Sequence, residues 1–192
     1  MKILIIYAYP HHESLNGKIL DTVTQSINPK HEIKILDLYQ EEFNPVLYFD
    51  KKYKRRDLQH CKETQKYREA ISWSNHIIFI FPIWWSSMPA ILKGFIDRVL
   101  VQNFAYSYSA KKLSPNKLLK GRTASIIVTH DTPNLIAKFL QKDYGRLLKT
   151  QILKNMCGIK VKQFLTLPNV RKSTSKKRAN FFRKINKTIN KL

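Results

Sequence analysis

The most informative stretch of this 192-residue sequence is Ile77-Ile78-Phe79-Ile80-Phe81-Pro82-Ile83-Trp84-Trp85-Ser86-Ser87-Met88-Pro89. Its first five residues are all apolar, which is typical of a strand covered by helices on both faces of a sheet. Pro82 ends this strand, because proline has no N–H group to donate to the hydrogen-bond ladder. We therefore predict a buried parallel strand over residues 77–81, followed by a loop that carries two tryptophans.

Strand and helix patterns alternate along the rest of the chain. Short apolar runs predict four further strands, at residues 2–7, 32–38, 123–129 and 160–167. Apolar residues at helical spacing predict helices at residues 14–27, 58–73, 88–101, 135–156 and 174–189. Residues 39–58 are polar, aromatic and irregular, so we expect a long excursion there. The alternation indicates an α/β fold, a single domain over residues 1–192 with a mostly parallel sheet and helices on both faces.

The fold class also predicts where a ligand binds. In open parallel sheets the ligand lies at the carboxyl ends of the strands, where the strand order reverses. The segments that follow the first, third and fourth predicted strands are residues 8–17, 82–87 and 130–133. We expect these three segments to line one crevice.

The chain is strongly basic, with 35 Lys and Arg residues against 13 Asp and Glu residues and a formal net charge of +22. Such an excess favours a nucleic acid, an anionic membrane surface or an acidic ligand, or it reflects a solvated lysine-rich surface. We expect no specific nucleic acid, because the sequence has neither an aromatic RNA-binding motif nor zinc-finger spacing. Peripheral contact with a membrane stays open.

Several features bear on the compartment. The longest apolar stretches, residues 3–9 and 77–85, are shorter than the roughly 20 residues that cross a bilayer. Met1-Lys2 leads straight into a strand pattern without a signal-peptide cleavage site, so we expect a cytoplasmic protein. In that reducing compartment Cys61 and Cys157 are expected to be free thiols.

The first predicted loop, Tyr9-Pro10-His11-His12-Glu13-Ser14-Leu15-Asn16-Gly17, leads from a strand into a helix. Ser14 and Asn16 are good capping residue types, and a helix N-terminus presents free N–H groups to a phosphate. An ordinary helix cap is the alternative. No glycine-rich fingerprint of a dinucleotide-binding or NTPase type is present. We predict no metal at His11-His12, because no carboxylate or cysteine stands at a ligand spacing.

The second loop carries Trp84 and Trp85 at the mouth of the buried strand. Their flat apolar faces suit stacking on a planar ring. The composition alone leaves a core position for both tryptophans equally open.

The residues from Phe81 to Val99 closely resemble the signature of the NAD(P)H quinone oxidoreductase family of flavodoxin-like proteins, Phe81-Pro82-Ile83-Trp84-Trp85-Ser86-Ser87-Met88-Pro89-Ala90-Ile91-Leu92-Lys93-Gly94-Phe95-Ile96-Asp97-Arg98-Val99. Similar segments follow in Phe104-Ala105-Tyr106-Ser107-Tyr108 and in Cys157-Gly158-Ile159. The resemblance implies a flavodoxin-like fold, with a five-stranded parallel sheet in the order 2-1-3-4-5. It also implies a bound flavin, NAD(P)H as the hydride donor and a homodimer with sites at the interface.

The resemblance also implies roles for individual residues. Those implied to bind the flavin are Tyr9 in the first loop, Ser14, Leu15 and Asn16 at the phosphate, Pro82, Ile83, Trp84 and Trp85 along the ring, and Thr129, His130 and Asp131 near its polar edge. Those implied to assist catalysis are His130 and, reaching the pocket of a neighbouring subunit, Tyr106 and Tyr108. A turn position without a catalytic role is the alternative for His130.

The sequence departs from the family at two loops. Many members have Ala-His-Pro and Thr-Thr-Gly-Gly, where this chain has Ala8-Tyr9-Pro10 and Thr129-His130-Asp131-Thr132-Pro133. The second change makes a stiffer turn, because glycine lets the backbone approach a ligand closely. Tyr144 is a weaker candidate than His130 for the catalytic residue that some members carry beyond this loop.

The resemblance implies ping-pong hydride transfer from NAD(P)H through the flavin to a quinone-like acceptor. FMN is favoured over FAD, because the phosphate loop is recognisable and an adenosine site is not. Two other functions stay open. The first is a regulatory flavoprotein subunit that docks on a potassium-efflux transporter, for which the basic surface suits an anionic leaflet. The second is an electron carrier, which the basic charge disfavours.

Overall fold

The computed structural model describes residues 1–109, 114–139 and 144–192. Within these residues the chain forms seven strands: β1 (Lys2–Tyr7), β2 (Glu32–Asp37), β3 (His76–Pro82), β4 (Tyr106–Ser107), β5 (Asn116–Lys117), β6 (Thr123–His130) and β7 (Lys160–Pro168). Five of the strands form one parallel sheet in the order β2-β1-β3-β6-β7. This confirms the predicted flavodoxin-like sheet and its strand order.

The helices cover both faces of the sheet. They are α1 (Leu15–Ser26), α2 (Gln65–Trp73), α3 (Ala90–Val99), α4 (Asn134–Phe139) and α5 (Ser175–Ile189), together with a 3-10 helix, Arg55–His60, and a π-helix, Leu147–Cys157. The apolar faces of α1 and α5 pack on one side of the sheet. Those of α2, α3 and the π-helix pack on the other. None of the helices in the described ranges is long and apolar enough to cross a bilayer.

The core follows the alternation of side chains along the central strands. In β1, Ile3 and Ile5 face the α1–α5 side, and Leu4 and Ile6 face the other side. All seven residues of β3 are buried, as the apolar run predicted. Such burial on both faces is what a parallel sheet requires of its central strands.

Two predicted helices have different boundaries in the structure. The helix predicted at residues 58–73 begins only at Gln65, because the Arg68 guanidinium donates to the carbonyl oxygens of Leu58 and Cys61 and so closes the preceding 3-10 turn. The helix predicted at residues 135–156 is divided into α4 and the π-helix. Residues 140–143 of that prediction lie outside the described residues. The antiparallel pair β4–β5 was not predicted.

A polar ladder crosses the amino-terminal half of the sheet. The fully buried ring of His76 lies 2.6 Å from Thr123 Oγ1 through Nδ1 and 2.9 Å from Ser125 Oγ through Nε2. Ser125 donates in turn to Gln163 Oε1 at 2.8 Å. Burial lowers the pKa of His76 to about 4, so the ring is neutral in the folded protein at pH 7.

This ladder makes stability depend on pH. The unfolded chain binds a proton at His76 from about pH 6.5 downward, whereas the folded chain resists that proton until about pH 4. The contribution of His76 to stability is therefore present above about pH 6.5 and is lost as the pH falls toward 4. From the pKa shift, we expect the free energy of unfolding to fall by about 3 kcal/mol over this range.

The measurement is urea unfolding at a series of pH values for the wild-type chain and for His76→Asn, which does not titrate. We expect a smaller pH dependence in His76→Asn, and a wild-type pH dependence in His60→Asn, whose histidine is exposed. An identical pH dependence in His76→Asn and the wild type would contradict the assignment.

Candidate active site

Three loops meet at the carboxyl edge of the sheet, where the sequence placed the crevice. The Ile83 N–H donates to Thr129 O at 2.8 Å, which joins the end of β3 to the end of β6. The Thr129 hydroxyl donates to Asn16 Oδ1 at 3.2 Å, which joins β6 to the first turn of α1. Asn16 and Thr129 are both buried. The structure therefore joins the first two predicted segments to Thr129, the residue that directly precedes the third.

The first loop leads into α1, whose N-terminus is capped and still has free backbone N–H groups. Ser14 caps α1, its Oγ accepting from the Gly17 N–H at 3.0 Å and donating to His11 O at 3.1 Å. No acceptor from the described part of the chain takes the N–H groups of Leu15 and Asn16. These free donors and the helix dipole suit an anion such as a phosphate.

Gly17 allows the loop to lie against the helix. A Cβ atom at this position would stand 1.8 Å from His12 O, so any larger residue collides with the loop backbone. Two further contacts hold the same loop: Tyr7 Oη donates to His11 O at 3.3 Å, and His12 Nε2 lies 2.6 Å from Asp37 Oδ2. Burial raises the pKa of Tyr7 to about 12, so its hydroxyl stays a donor.

The sequence analysis did not assign a role to Tyr7, Gly17 or Asp37. For Gly17 there was a signal in the sequence, since a glycine three residues after a capping serine lies in the first turn of the helix. The pairing of His12 with Asp37 depends on the parallel register of β1 and β2, which brings the ends of both strands to one edge.

The tryptophan loop is a tight, exposed turn. Trp84 and Ser87 exchange backbone hydrogen bonds of 2.9 and 3.0 Å. Trp85 and Ser86 have φ angles of 48° and 64°, and positive φ at both central positions is the pattern of a type I′ turn. Such backbone costs about 1–3 kcal/mol per residue outside glycine and is found most often at functional sites.

Both indoles are accessible, which contradicts the core alternative for them. Trp85 is 100% exposed and Trp84 is 41% exposed. Tyr9 stands beside them, its ring centroid 6.1 Å from that of Trp84. An aromatic surface is thus held at the mouth of β3, next to the helix N-terminus.

His130 is the last residue of β6. The alternative that it is a turn residue is therefore wrong. It is only 5% exposed, and its Nδ1 is buried with no hydrogen-bond partner among the residues that the structure describes. Burial lowers the pKa of His130, so the ring is neutral at pH 7. The ring of Tyr144 lies edge-on at 4.8 Å. A buried nitrogen without a partner is costly, so Nδ1 has hydrogen-bonding capacity that the described residues leave unused.

Tyr144 links the second and third loops. Its N–H donates to Ser86 O at 3.1 Å, and its hydroxyl lies 2.6 Å from Thr132 Oγ1. Between them is a cavity of about 250 Å³, lined by Ile83, Trp85, Ser86, His130, Asp131, Thr132 and Tyr144. The predicted ring and edge residues Ile83, Trp85, His130 and Asp131 therefore surround one space.

Asp131 has a second partner that the sequence did not reveal. Its carboxylate accepts from the Arg171 N–H at 2.8 Å and from Arg171 Nε at 2.9 Å. The side chain is therefore held by the loop between β7 and α5.

Comparison with known proteins places the chain in a family. The family model described as "Flavodoxin-like fold" matches residues 1–189. The chain belongs to this family. It is 31% identical over 160 residues to the "Uncharacterized NAD(P)H oxidoreductase YcaK" of Escherichia coli (strain K12), a match that covers 82% of this chain and 76% of that protein. The resemblance to NAD(P)H quinone oxidoreductases is thereby confirmed.

Another relative of this flavodoxin-like protein is the human ribosyldihydronicotinamide dehydrogenase [quinone], 32% identical over 150 residues. That match covers 67% of this chain and 62% of the human protein. Among solved structures, Smu.1420 from Streptococcus mutans UA159 has a TM-score of 0.95 and 46% identity over the full length of both chains. An FMN-dependent NADH-azoreductase from Bacillus anthracis, solved with FMN, has a TM-score of 0.75 at 16% identity and covers 99% and 98% of the two chains, which shows a common fold alone.

Tyr106 and Tyr108 lie apart from these loops in the flavodoxin-like chain. Their rings meet edge-on at 5.6 Å and line a cavity of about 420 Å³ with Arg55, Asp97 and Cys157, among others. None of the residues lining that cavity also lines the cavity beside His130. The structure therefore does not bring the two tyrosines to His130 of the same chain.

The clash at Gly17 gives a prediction for stability. Alanine favours a helix by about 1 kcal/mol over glycine, but overpacking against a backbone atom costs about 1–3 kcal/mol or more. We expect Gly17→Ala to lower the free energy of unfolding by about 2 kcal/mol, measured by urea unfolding. Lys18→Ala is the matched control, because Lys18 is exposed on the same turn. A Gly17→Ala variant as stable as Lys18→Ala would show that the loop does not depend on this approach.

Proposed function

We propose that this chain is a flavin-dependent NAD(P)H oxidoreductase that reduces a quinone or a similar acceptor by two electrons. Residues 1–192 act as one flavin-binding domain that works as a homodimer. The observation that carries the proposal is the meeting of three features at one edge of the sheet: a helix N-terminus with free donors, an exposed aromatic turn and a buried histidine nitrogen without a partner. The names of the E. coli and human relatives support the reaction class.

The residues present fit FMN. Ser14, Leu15 and Asn16 bind the phosphate through the capped terminus of α1, in the loop that Gly17 holds close to the helix. Pro82, Ile83, Trp84 and Trp85 lie along the flat ring, with Tyr9 beside them. Thr129 and His130 face its polar edge. We prefer FMN to FAD, because the helix N-terminus suits a phosphate and the aromatic turn and His130 suit a flat ring, and none of these features suits an adenosine group.

When bound, the flavin supplies the hydride and electron chemistry, and the protein supplies position and polarity. The indoles of Trp84 and Trp85 would pack against one face of the ring. Nδ1 of the neutral His130 ring is free to form a hydrogen bond with the flavin. Such a bond is stronger in the buried interior than in water, because the local dielectric is low. Asp131 takes no part in this contact, because Arg171 already holds its carboxylate.

A flavin held here would supply ping-pong chemistry, with NAD(P)H and the acceptor binding in turn. The fully exposed Trp85 would offer them an accessible aromatic surface beside the ring. Tyr106 and Tyr108, which line a different cavity of their own chain, contact the acceptor in the site of the neighbouring subunit. His130 or Tyr106 donates the hydrogen bond or proton that the reduced acceptor needs.

A second candidate function is an ancillary flavoprotein that docks on a membrane transporter of the potassium-efflux type. The observation that favours it is the distribution of charge: residues 98–192 carry 22 of the 35 basic residues and only two of the 13 acidic ones. Such a surface is attracted to an anionic leaflet in a salt-sensitive way. Co-fractionation with membranes that high salt abolishes would support it.

The visible spectrum of the purified protein tests the main proposal. We expect flavin absorption after purification or after reconstitution with FMN, and bleaching when NADH or NADPH is added without air. Addition of a quinone should restore the absorption. A protein that binds neither FMN nor FAD would overturn the assignment.

Trp85→Ala tests the placement of the ring. The side chain is fully exposed, so its removal should change the free energy of unfolding by less than about 0.5 kcal/mol. Stacking of an aromatic side chain on a flat ring contributes about 1–3 kcal/mol, so the dissociation constant for FMN should rise about tenfold or more. Titration with FMN measures this, and Trp85→Phe, which keeps a flat ring, should retain most of the affinity. Equal affinity in Trp85→Ala and the wild type would refute the placement.

A further inference from the structure

A second cavity lies next to the candidate active site, on the side of the edge strand β7. It has a volume of about 510 Å³ and shares His130 and Tyr144 with the cavity beside the aromatic turn. The two spaces therefore meet at the His130–Tyr144 pair. An anionic group in the second cavity would therefore lie beside a ring bound in the first.

Three cations converge on this second cavity. Arg146 precedes the π-helix and Lys149 lies on it, whereas Lys184 comes from α5. Phe164 of β7 adds an aromatic surface, with Lys149 Nζ at 5.6 Å from its ring centroid. The cations thus reach the cavity from helices on both sides of the sheet edge.

The charge of these cations is not balanced nearby. Among the residues that the structure describes, none of the three has an ion-pair partner, and no carboxylate lines the cavity. The sequence offers only two acidic residues after residue 97, Asp131 and Asp143. Asp131 is held by Arg171, and Asp143 lies outside the described residues. Like charges gathered in this way favour an anionic ligand.

We propose that this cavity binds the phosphate groups of the nicotinamide dinucleotide that delivers hydride to a flavin bound beside it. The inference rests on the proposed function and extends it to the choice of donor. An arginine fork and lysine ammonium groups are the usual partners of phosphate oxygens. Because the two cavities share His130 and Tyr144, phosphates in the second would lie next to the proposed flavin site. Donors without phosphate cannot use these contacts.

Steady-state kinetics with three donors tests the inference on the FMN-loaded protein. The donors are dihydronicotinamide riboside, which has no phosphate, NADH and NADPH. In Arg146→Gln and Lys184→Gln we expect kcat/KM for NADPH to fall about tenfold each, the usual scale for a charge-assisted hydrogen bond, through a higher KM. The value for the riboside should stay within about twofold of wild type.

The matched control is Lys154→Gln. Lys154 is a cation of the same π-helix, but it lines a different cavity, which has only Lys149 in common with the second cavity. Lys154→Gln removes one positive charge, as Arg146→Gln and Lys184→Gln each do. A general electrostatic effect would therefore lower kcat/KM in the control and in the test variants alike. We expect Lys154→Gln to behave as wild type with all three donors.

The donor series also separates the two phosphate sources. An equal loss for NADH and NADPH assigns the contacts to the pyrophosphate, and a loss confined to NADPH assigns them to the 2′-phosphate. Either result supports the proposal that the second cavity binds phosphate groups of the donor. An equal loss for the riboside, or an equal effect of Lys154→Gln, overturns it.

Calorimetric binding of unreactive NADP⁺ to the FMN-loaded protein keeps this test separate from the reaction itself. We expect weaker NADP⁺ binding in Arg146→Gln than in Lys154→Gln. If no donor reduces the flavin but this difference is found, the proposed function fails and the anion site stands. If wild type and Arg146→Gln bind NADP⁺ equally, the inference fails even in an active enzyme.

Discussion

Main-chain hydrogen bonds pair β3 with β1 on one side and with β6 on the other, and the three strands run in one direction. The register sets Ile80 opposite Tyr7 and Pro82 opposite Thr129. All three strands therefore end near the same level, and their loops must turn at the same edge. The helix terminus, the aromatic turn and His130 are neighbours because of this pairing, although more than 100 residues separate the first from the last along the chain.

The strands were predictable because their apolar runs reflect burial on both faces, which is a local property of the sequence. The irregular helix boundaries were not predictable, because they depend on contacts between residues that are not neighbours in the sequence. Arg68 ends the 3-10 turn before α2 by reaching back to the carbonyl groups of Leu58 and Cys61. The pair β4–β5 is only two residues long on each side, which is too short to produce a pattern.

The sequence predicted which segments form the site better than it predicted the exposure and the partners of individual side chains. Capping residue types located the helix terminus, and the strand-end rule located the loops. The exposure of Trp85 depends on the positive φ angles of its turn, which a sequence without glycine there does not suggest. The partners of His12 and Asp131 come from β2 and from the loop after β7, so both contacts depend on the tertiary fold.

The fully exposed indole of Trp85 has a practical consequence. The chain has three tryptophans, and Trp73 is partly buried beneath the ammonium groups of Lys2 and Lys34. Water around Trp84 and Trp85 relaxes their excited states, so the red side of the intrinsic fluorescence comes mainly from these two side chains. A flat molecule that covers the turn displaces that water, and one that absorbs where tryptophan emits also accepts the excitation energy. The protein therefore carries an optical reporter of its own occupancy, and ligands can be screened by emission without a label.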